Sequence, residues 1–491
     1  MPVLHLTIHW LAAGPGQGSY HGEEWPPSPA RVFRALLAAA CRPGGPGQRG
    51  REALARLEQL DPPQILGPAA ERLEPVRTAV PNNDGDVVLG LYHKGRTEQA
   101  RKKTSALKTM RLRQGWSVPG PVEYRWHFPE PDPDPQAFEQ LADSLTHLGQ
   151  GIDLAYANAE WLESPRPQWG YAWRPDETLG NEMMPVPSPG EIERMDALHE
   201  GALGRIRGPH VSSSREPPVA FATYQDPLVP PAKRWQAFTL RLPDDAGPLA
   251  VSGAQAMRVT GMVRHAVHRA AQQAGLDETT IQSLMGHGGP GKIQALAIPN
   301  VAHDWADGRI RRVVLAAPPA VDAQIWDAVV LRMVSAELID ADSGEIQGLL
   351  APVAQPREDK LLWRFTDSAR VWSAATPVIF PGFDTRRGRP RPEKAVRRML
   401  RHAGIPQEAV RRVRIDDAPQ LPGVCSARSV ALPHYLRSYP RKFLTVEFQK
   451  RVAGPLILGA GEGSGLGLLT HCEQFSAASN PGERSQRRKA S

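Results

Sequence analysis

Two histidines three residues apart, His265 and His268, lie in the segment MVRHAVHRAAQQ, with Arg264 and Arg269 beside them. On a helix, residues three apart share a face. Free imidazole has a pKa of about 6.5, so near neutrality one ring can take a proton while another gives one. A neighbouring guanidinium would supply fixed positive charge to a crowded phosphate. Two further histidines lie nearby, His287 in MGH and His303 in VAHDWADG. The plainer alternatives are an exposed strip on an amphipathic helix for the first pair and turn stabilisation for the second. No EF-hand, H-E-x-x-H or cysteine-paired zinc pattern accompanies them, so no metal is expected.

Glycine recurs at alternate positions near the end of the chain: Gly459, Gly461, Gly463 and Gly465 in GPLILGAGEGSGLGLLT, residues 454–470. Glycine runs can hold phosphate through backbone N–H groups, because nothing obstructs close approach. A P-loop is excluded, since no lysine follows Lys450 within the loop. A Rossmann fingerprint begun at Gly459 or Gly461 would end on Ser464 or Leu466. No other cofactor pattern is present, and none is expected. KFLTVEFQK before the loop alternates as a strand. PLILG is expected as the next strand, joined by a turn at KRVAG. A mobile surface loop is the alternative.

The elements that must position these residues belong to a chain of 491 residues, long enough for two or three domains. Glycine (44) and proline (49) are plentiful but below the level of a disordered chain, which implies long loops on folded domains. The net charge of +7 suggests a polyanionic partner where the charge is clustered. Two clusters qualify. Residues 94–113 carry eight basic side chains against one acidic, among them Arg101, Lys102 and Lys103; they read as a charged loop or an arm on nucleic-acid backbone. Residues 386–414 carry eleven, including Arg397, Arg398 and Arg401 on the helix PEKAVRRMLRHAG. Three scattered cysteines fit a reducing cytoplasm rather than a disulfide framework. No apolar run approaches a membrane span, and the N-terminus reads as a strand rather than a signal peptide.

After the first strand, Ser28 and Pro29 open a helix that buries Val32, Phe33, Leu36, Leu37 and Ala39. DVVLGLYH and EYRWHF read as strands, DPQAFEQLADSLTHLGQGI as helical. A proline-rich connector at 205–233 marks the domain boundary. Beyond it come the strand WQAFTLRL, a helix ending at Gly275, strands IQALAIPNV and RIRRVVLAAP, the helix VDAQIWDAVVLRMVSAEL and a closing strand KLLWRFTD. That order is the ferredoxin-like split unit, shared with RRM modules whose sheet face meets RNA. The strand VWSAATPVIF opens a further unit. The fold class expected is α+β, with tandem ferredoxin-like units in two halves.

Five segments occur together in order: EWPPSPARVFRALLAA, VPSPGEIERMDAL, MGHGGPGKIQALAIPNVAHDWADGRI, VWSAATPVIF and GPLILGAGEGSGLGLL. With them the chain resembles the fused Cas-five/Cas-six subunit of type I-U (I-G) CRISPR effector complexes. The resemblance implies two RAMP-type halves. Residues 1–225 would cap the 5′ end of the guide RNA and join the effector assembly. Residues 233–480 would cut precursor CRISPR RNA and then stay bound, and the basic tail 481–491 is expected to be disordered. The implied partners are precursor and mature CRISPR RNA, the other effector subunits and, through the complex, target DNA, with no membrane. The implied reaction is metal-independent: the ribose 2′-OH attacks its own phosphate, leaving a 2′,3′-cyclic phosphate and a 5′-hydroxyl. In Cas-six enzymes the catalytic histidine commonly falls on or near the first helix, where His265 and His268 lie. The glycine loop would meet RNA phosphates, yet related loops carry basic residues where this chain has Ala460, Glu462 and Gly463. A non-catalytic RNA-binding scaffold is the other reading; a nucleotide-dependent enzyme is disfavoured by the failed P-loop and Rossmann patterns.

Overall fold

A computed structural model describes residues 2–11, 18–81, 85–104, 108–207, 219–285, 292–382, 385–386, 389–390 and 392–472. The chain divides into two units, Met1–Pro227 and Leu228–Ser491. His287 and residues 481–491 lie outside the described residues.

In the first unit, Leu4, Leu6, Ile8 and Trp10 alternate along the strand Val3–Trp10 and are all buried. The helix Pro29–Ala40 follows, with Pro29 in its first turn and the expected apolar face inward. The strands Gln64–Gly67 and Val122–His127, the helix Pro135–Asp143 and the strand Ala155–Leu162 complete a β-α-β-β-α-β sequence. In the sheet these four strands lie in the order fourth, first, third, second, the ferredoxin-like arrangement, and three more strands extend its edge. His5 is buried on the opposite face of the first strand. Its Nδ1 is 2.6 Å from Glu123 Oε1, and the same carboxylate accepts from Arg125 Nε at 2.6 Å and from Trp169 Nε1 at 2.8 Å.

Two expectations fail here. DVVLGLYH is not a strand but the helix Gly85–His93, and most of the described residues in 94–113 are not a loop. They form the helix Thr97–Thr104, which packs on the preceding one, and the strand Lys108–Arg113, which pairs with Val76–Pro81. A short apolar run does not reveal its period, so helix and strand look alike in it. The connector at 205–233 also carries structure, the end of the helix Glu191–Arg207 and the strand Ala220–Gln225.

The second unit holds two ferredoxin-like folds. In the first, the strands Arg234–Arg241, Gln294–Pro299, Arg309–Ala317 and Ile346–Pro352 take the same fourth-first-third-second order, with helices Ala256–Gln273 and Ala323–Arg332 as crossovers. The expected closing strand KLLWRFTD is instead the helix Lys360–Thr366. Asp359 caps it by accepting from the amides of Leu361 and Leu362, and Leu362 and Phe365, three apart, face inward. Ile346–Pro352 closes the sheet in its place.

The second fold repeats the order with Ser368–Ala374, Val410–Asp416, Arg441–Ala453 and Leu469–His471. Its first crossover is the helix Pro392–His402, and its second is the glycine-rich segment rather than a helix. VWSAATPVIF is broken after Ala374 and resumes at Val378–Ile379. KRVAG is no turn, because the strand runs on to Ala453. PLILG contributes only an isolated bridge, Ile457 to Leu468.

Both faces of the first fold's sheet are covered. Phe238, Ala295, Val313 and Leu315 face the helices. Their neighbours Ala237, Leu296, Val314 and Ala316 pack with Leu362, Phe365, Ala375, Ile457 and Leu468. The RRM-like expectation of a sheet face open to RNA therefore fails for this fold: the second fold and the helix Lys360–Thr366 occupy it.

Candidate functional site

The helix Ala256–Gln273 buries Val259, Thr260, Val263, Val267, Ala270 and Ala271 at three- and four-residue spacing. The opposite strip therefore faces outward, with Gly261 and His265 exposed and Arg264, His268 and Arg269 half-buried. His265 has no hydrogen-bond or ion-pair partner among the described residues. His268 Nε2 lies 3.5 Å from Glu278 Oε1, a long contact. Hydrogen bonds from Gln282 and His268 hold the Glu278 carboxyl below its usual range. Arg269, four residues from His265 and so on its face of the helix, reaches Glu337 at 3.3 Å.

Arg264 ties three elements together. Its Nη1 donates to the carbonyl of Gly463 at 2.9 Å and its Nη2 to that of Met285 at 2.7 Å. Burial lowers its pKa, partly offset by the nearby Tyr435 phenol. The side chain expected to meet phosphate thus spends two of its five N–H donors on the protein.

The glycine loop is packed, not open. A Cβ at Gly465 would lie 2.2 Å from Thr260 Oγ1, and one at Gly467 would lie 1.9 Å from the Leu458 carbonyl oxygen. Both residues have left-handed φ, +78° and +80°. Gly459 (φ +107°) lies against the Ile379 carbonyl, and a Cβ at Gly461 would meet Leu466 at 2.8 Å. The amides of Ala460, Ser464, Leu466 and Gly467 donate within the protein. Glycine is needed here first for packing against the helix and the strand Val378–Ile379.

Sequence reasoning missed Tyr435. It stands 61 % exposed on the short helix His434–Arg437. Leu436 of that helix, Leu466 of the glycine loop, Ile379 and Met257 of the long helix share one apolar cluster. The cluster brings the phenol to Arg264 across some 170 residues of chain, and no local pattern announces that. Arg264 thus brings the glycine loop and a phenol to the helix that carries both imidazoles, a set of groups whose chemistry suits proton transfer beside an anion.

The other candidates lie elsewhere. His303 sits in the turn between Gln294–Pro299 and Arg309–Ala317. Its Nδ1 accepts from the Trp305 amide at 3.1 Å and its Nε2 meets Asn300 Oδ1 at 2.6 Å, so both ring nitrogens are occupied. Arg397 and Arg401 are exposed on one ridge of the helix Pro392–His402, while Arg398 donates to the Pro381 carbonyl at 2.7 Å. Arg101, Lys102 and Lys103 are exposed in the first unit. Among the described residues no cluster of histidine, cysteine, aspartate or glutamate could hold a metal ion, and no helix is long and apolar enough to cross a membrane.

No curated protein matches the chain. A crystal structure of a CRISPR protein from Archaeoglobus fulgidus is 14% identical, the match covering 33% of this chain and 65% of that one, just under two thirds, at a TM-score of 0.18. The family described as CRISPR-associated protein, GSU0054 family, matches residues 15–471. With nearly its whole length inside that match, the chain belongs to the GSU0054 family of CRISPR-associated proteins.

Proposed function

We propose that this CRISPR-associated chain is a metal-independent endoribonuclease. It binds repeat RNA, cuts precursor CRISPR RNA and remains on its product as a subunit of the effector complex. The observation that carries the reading is His265: an exposed imidazole without a partner among the described residues, on a helix, next in sequence to an arginine that holds the glycine loop. His265 takes the proton of the 2′-hydroxyl as that oxygen attacks the adjacent phosphorus. The P–O5′ bond breaks, leaving a 2′,3′-cyclic phosphate, and the departing 5′ oxygen is protonated by His268 or Tyr435. The remaining donors of Arg264 steady the phosphate. A helix fixes the base well enough for the in-line geometry this attack requires. Arg397, Arg401 and the basic residues at 94–113 track the RNA backbone. The first unit, near residues 1–225, takes the guide's 5′ end and the neighbouring subunits; residues 233–480 do the cutting.

A second reading, a non-catalytic RNA-binding scaffold, draws support from the packed glycine loop and its missing cations. Incubating the protein with a repeat RNA in EDTA separates the two. Specific cleavage to cyclic-phosphate ends supports the nuclease, whereas tight binding without cleavage supports the scaffold.

A further inference from the structure

Trp305 is 88 % exposed, yet nothing about its backbone is loose. Its amide donates to His303 Nδ1 at 3.1 Å, and its carbonyl accepts from Asn300 Nδ2 at 3.3 Å. His303 is itself held by Asn300 Oδ1, and Asn300 Nδ2 also reaches Asp307 Oδ1 at 3.0 Å. Arg311 grips both oxygens of Asp307, at 3.0 and 2.6 Å. From outside the turn, the Ala302 amide donates to the Pro422 carbonyl, and Gly308 closes against Gly423. Ala302 is held at φ +68°, a conformation an alanine keeps only when its surroundings impose it.

A turn so fully determined, with a bare indole at its tip, is a mount for that indole. We infer that Trp305 is a stacking platform for one unpaired base of the RNA. An inference of this kind rests on the RNA-binding reading above. The surroundings favour a base over a protein partner. Asp304, Asp307 and Arg309 are exposed in and beside the same turn, and only the small Ala302 and Ala306 are its apolar neighbours there. A protein interface core needs a contiguous desolvated patch, whereas one base needs one flat face with polar surroundings. The Arg309 guanidinium, with no partner among the described residues, is available to the phosphate of the stacked nucleotide. On this view His303 is a positioning residue: it fixes the backbone that carries the indole instead of handling a proton.

The test uses the full-length protein and labelled single-stranded repeat RNAs in which one abasic site is walked along the strand. Wild type should lose affinity most at one position, roughly 5- to 150-fold for one base–aromatic stack. Trp305→Ala should bind intact RNA weaker by the same factor and be indifferent to the abasic site at that position. Trp305→Phe should restore most of the binding. His303→Ala should weaken binding with no change in the cleavage rate of saturated enzyme and should add nothing to Trp305→Ala. Unchanged RNA affinity in Trp305→Ala overturns the proposal, as does lost association with other effector subunits while RNA affinity stays intact. If wild type binds no RNA and neutralising Arg397 and Arg401 therefore has nothing to weaken, the RNA-binding reading falls and takes this proposal with it.

Discussion

The Arg264 guanidinium donates to the Gly463 carbonyl at 2.9 Å, joining the first helix of one ferredoxin-like fold to the glycine loop of the next. Side chain and loop therefore answer to each other. Arg264→Lys keeps the charge but cannot serve the Gly463 and Met285 carbonyls with one planar fork. The expected result is a lower unfolding midpoint in urea for both Arg264→Lys and Arg264→Ala, with RNA cleavage reduced in both. Lysine restoring full stability and cleavage would leave Arg264 no role beyond its charge.

Gly465 gives a sharper test of the packing. Its φ of +78° and the 2.2 Å approach of a Cβ to Thr260 Oγ1 make Gly465→Ala costly, by roughly 1–3 kcal/mol. Denaturant unfolding reads the loss directly. Adding Thr260→Ala removes the 2.2 Å approach and leaves the 3.0 Å one to the Cβ of residue 260, the 3.1 Å one to the Ala256 carbonyl and the backbone part, so the double variant should lie between the wild type and Gly465→Ala.

The two histidines of the long helix should separate from His303 under single-turnover conditions. His265→Ala is expected to slow cleavage by roughly 10²–10⁴-fold with RNA binding nearly intact. His268→Ala should have a smaller effect if Tyr435 shares the acid's role, and the effect should grow in His268→Ala/Tyr435→Phe. Cleavage at the wild-type rate in His265→Ala would remove the base from this helix.

Arg397 and Arg401 should act through charge alone. Replacing both with glutamine is expected to flatten the slope of log affinity against log salt for single-stranded RNA by about 1.4, two phosphate contacts' worth. An unchanged slope would leave that ridge as ordinary solvated surface.

In the first unit, burial, with Arg125 and Arg166 nearby, pushes the His5 imidazole below 6.5 despite its contact with Glu123. The unfolded chain therefore takes up a proton at His5 before the folded one does. Stability is full above about pH 6.5 and falls as pH drops below it, at up to about 1.4 kcal/mol per pH unit for this proton. Urea midpoints at several pH values between 7.5 and 5 should show that fall in the wild type and a shallower one in His5→Gln. His9, also lowered by burial, will leave part of the slope behind.

What the sequence made legible was whatever depended on neighbours along the chain. Val3–Trp10 alternates cleanly, and Ser28–Pro29 followed by Val32, Phe33 and Leu36 marks a helix start and its inward face. His265 and His268 stand on an outward strip as their spacing implies. DVVLGLYH and KLLWRFTD misled because short apolar runs fit both periods. In the second, the deciding signal was a single capping side chain, Asp359. The partners of the candidate site were beyond reach for a different reason. Gly463 and Tyr435 come to Arg264 only through the tertiary cluster of Ile379, Leu436 and Leu466. Likewise, two arginines of equal sequence character part company once Arg398 finds the Pro381 carbonyl and Arg397 does not.

The alternation of glycines in the loop bears on how such a chain can change over generations. Gly459, Gly461, Gly465 and Gly467 are held by what their missing side chains would strike, so substitutions there are filtered by folding itself. The exposed position 460 carries no such constraint. A lineage can gain or shed a cation there without rebuilding the loop. Drift at such positions would change the charge the loop presents while its backbone path is inherited intact.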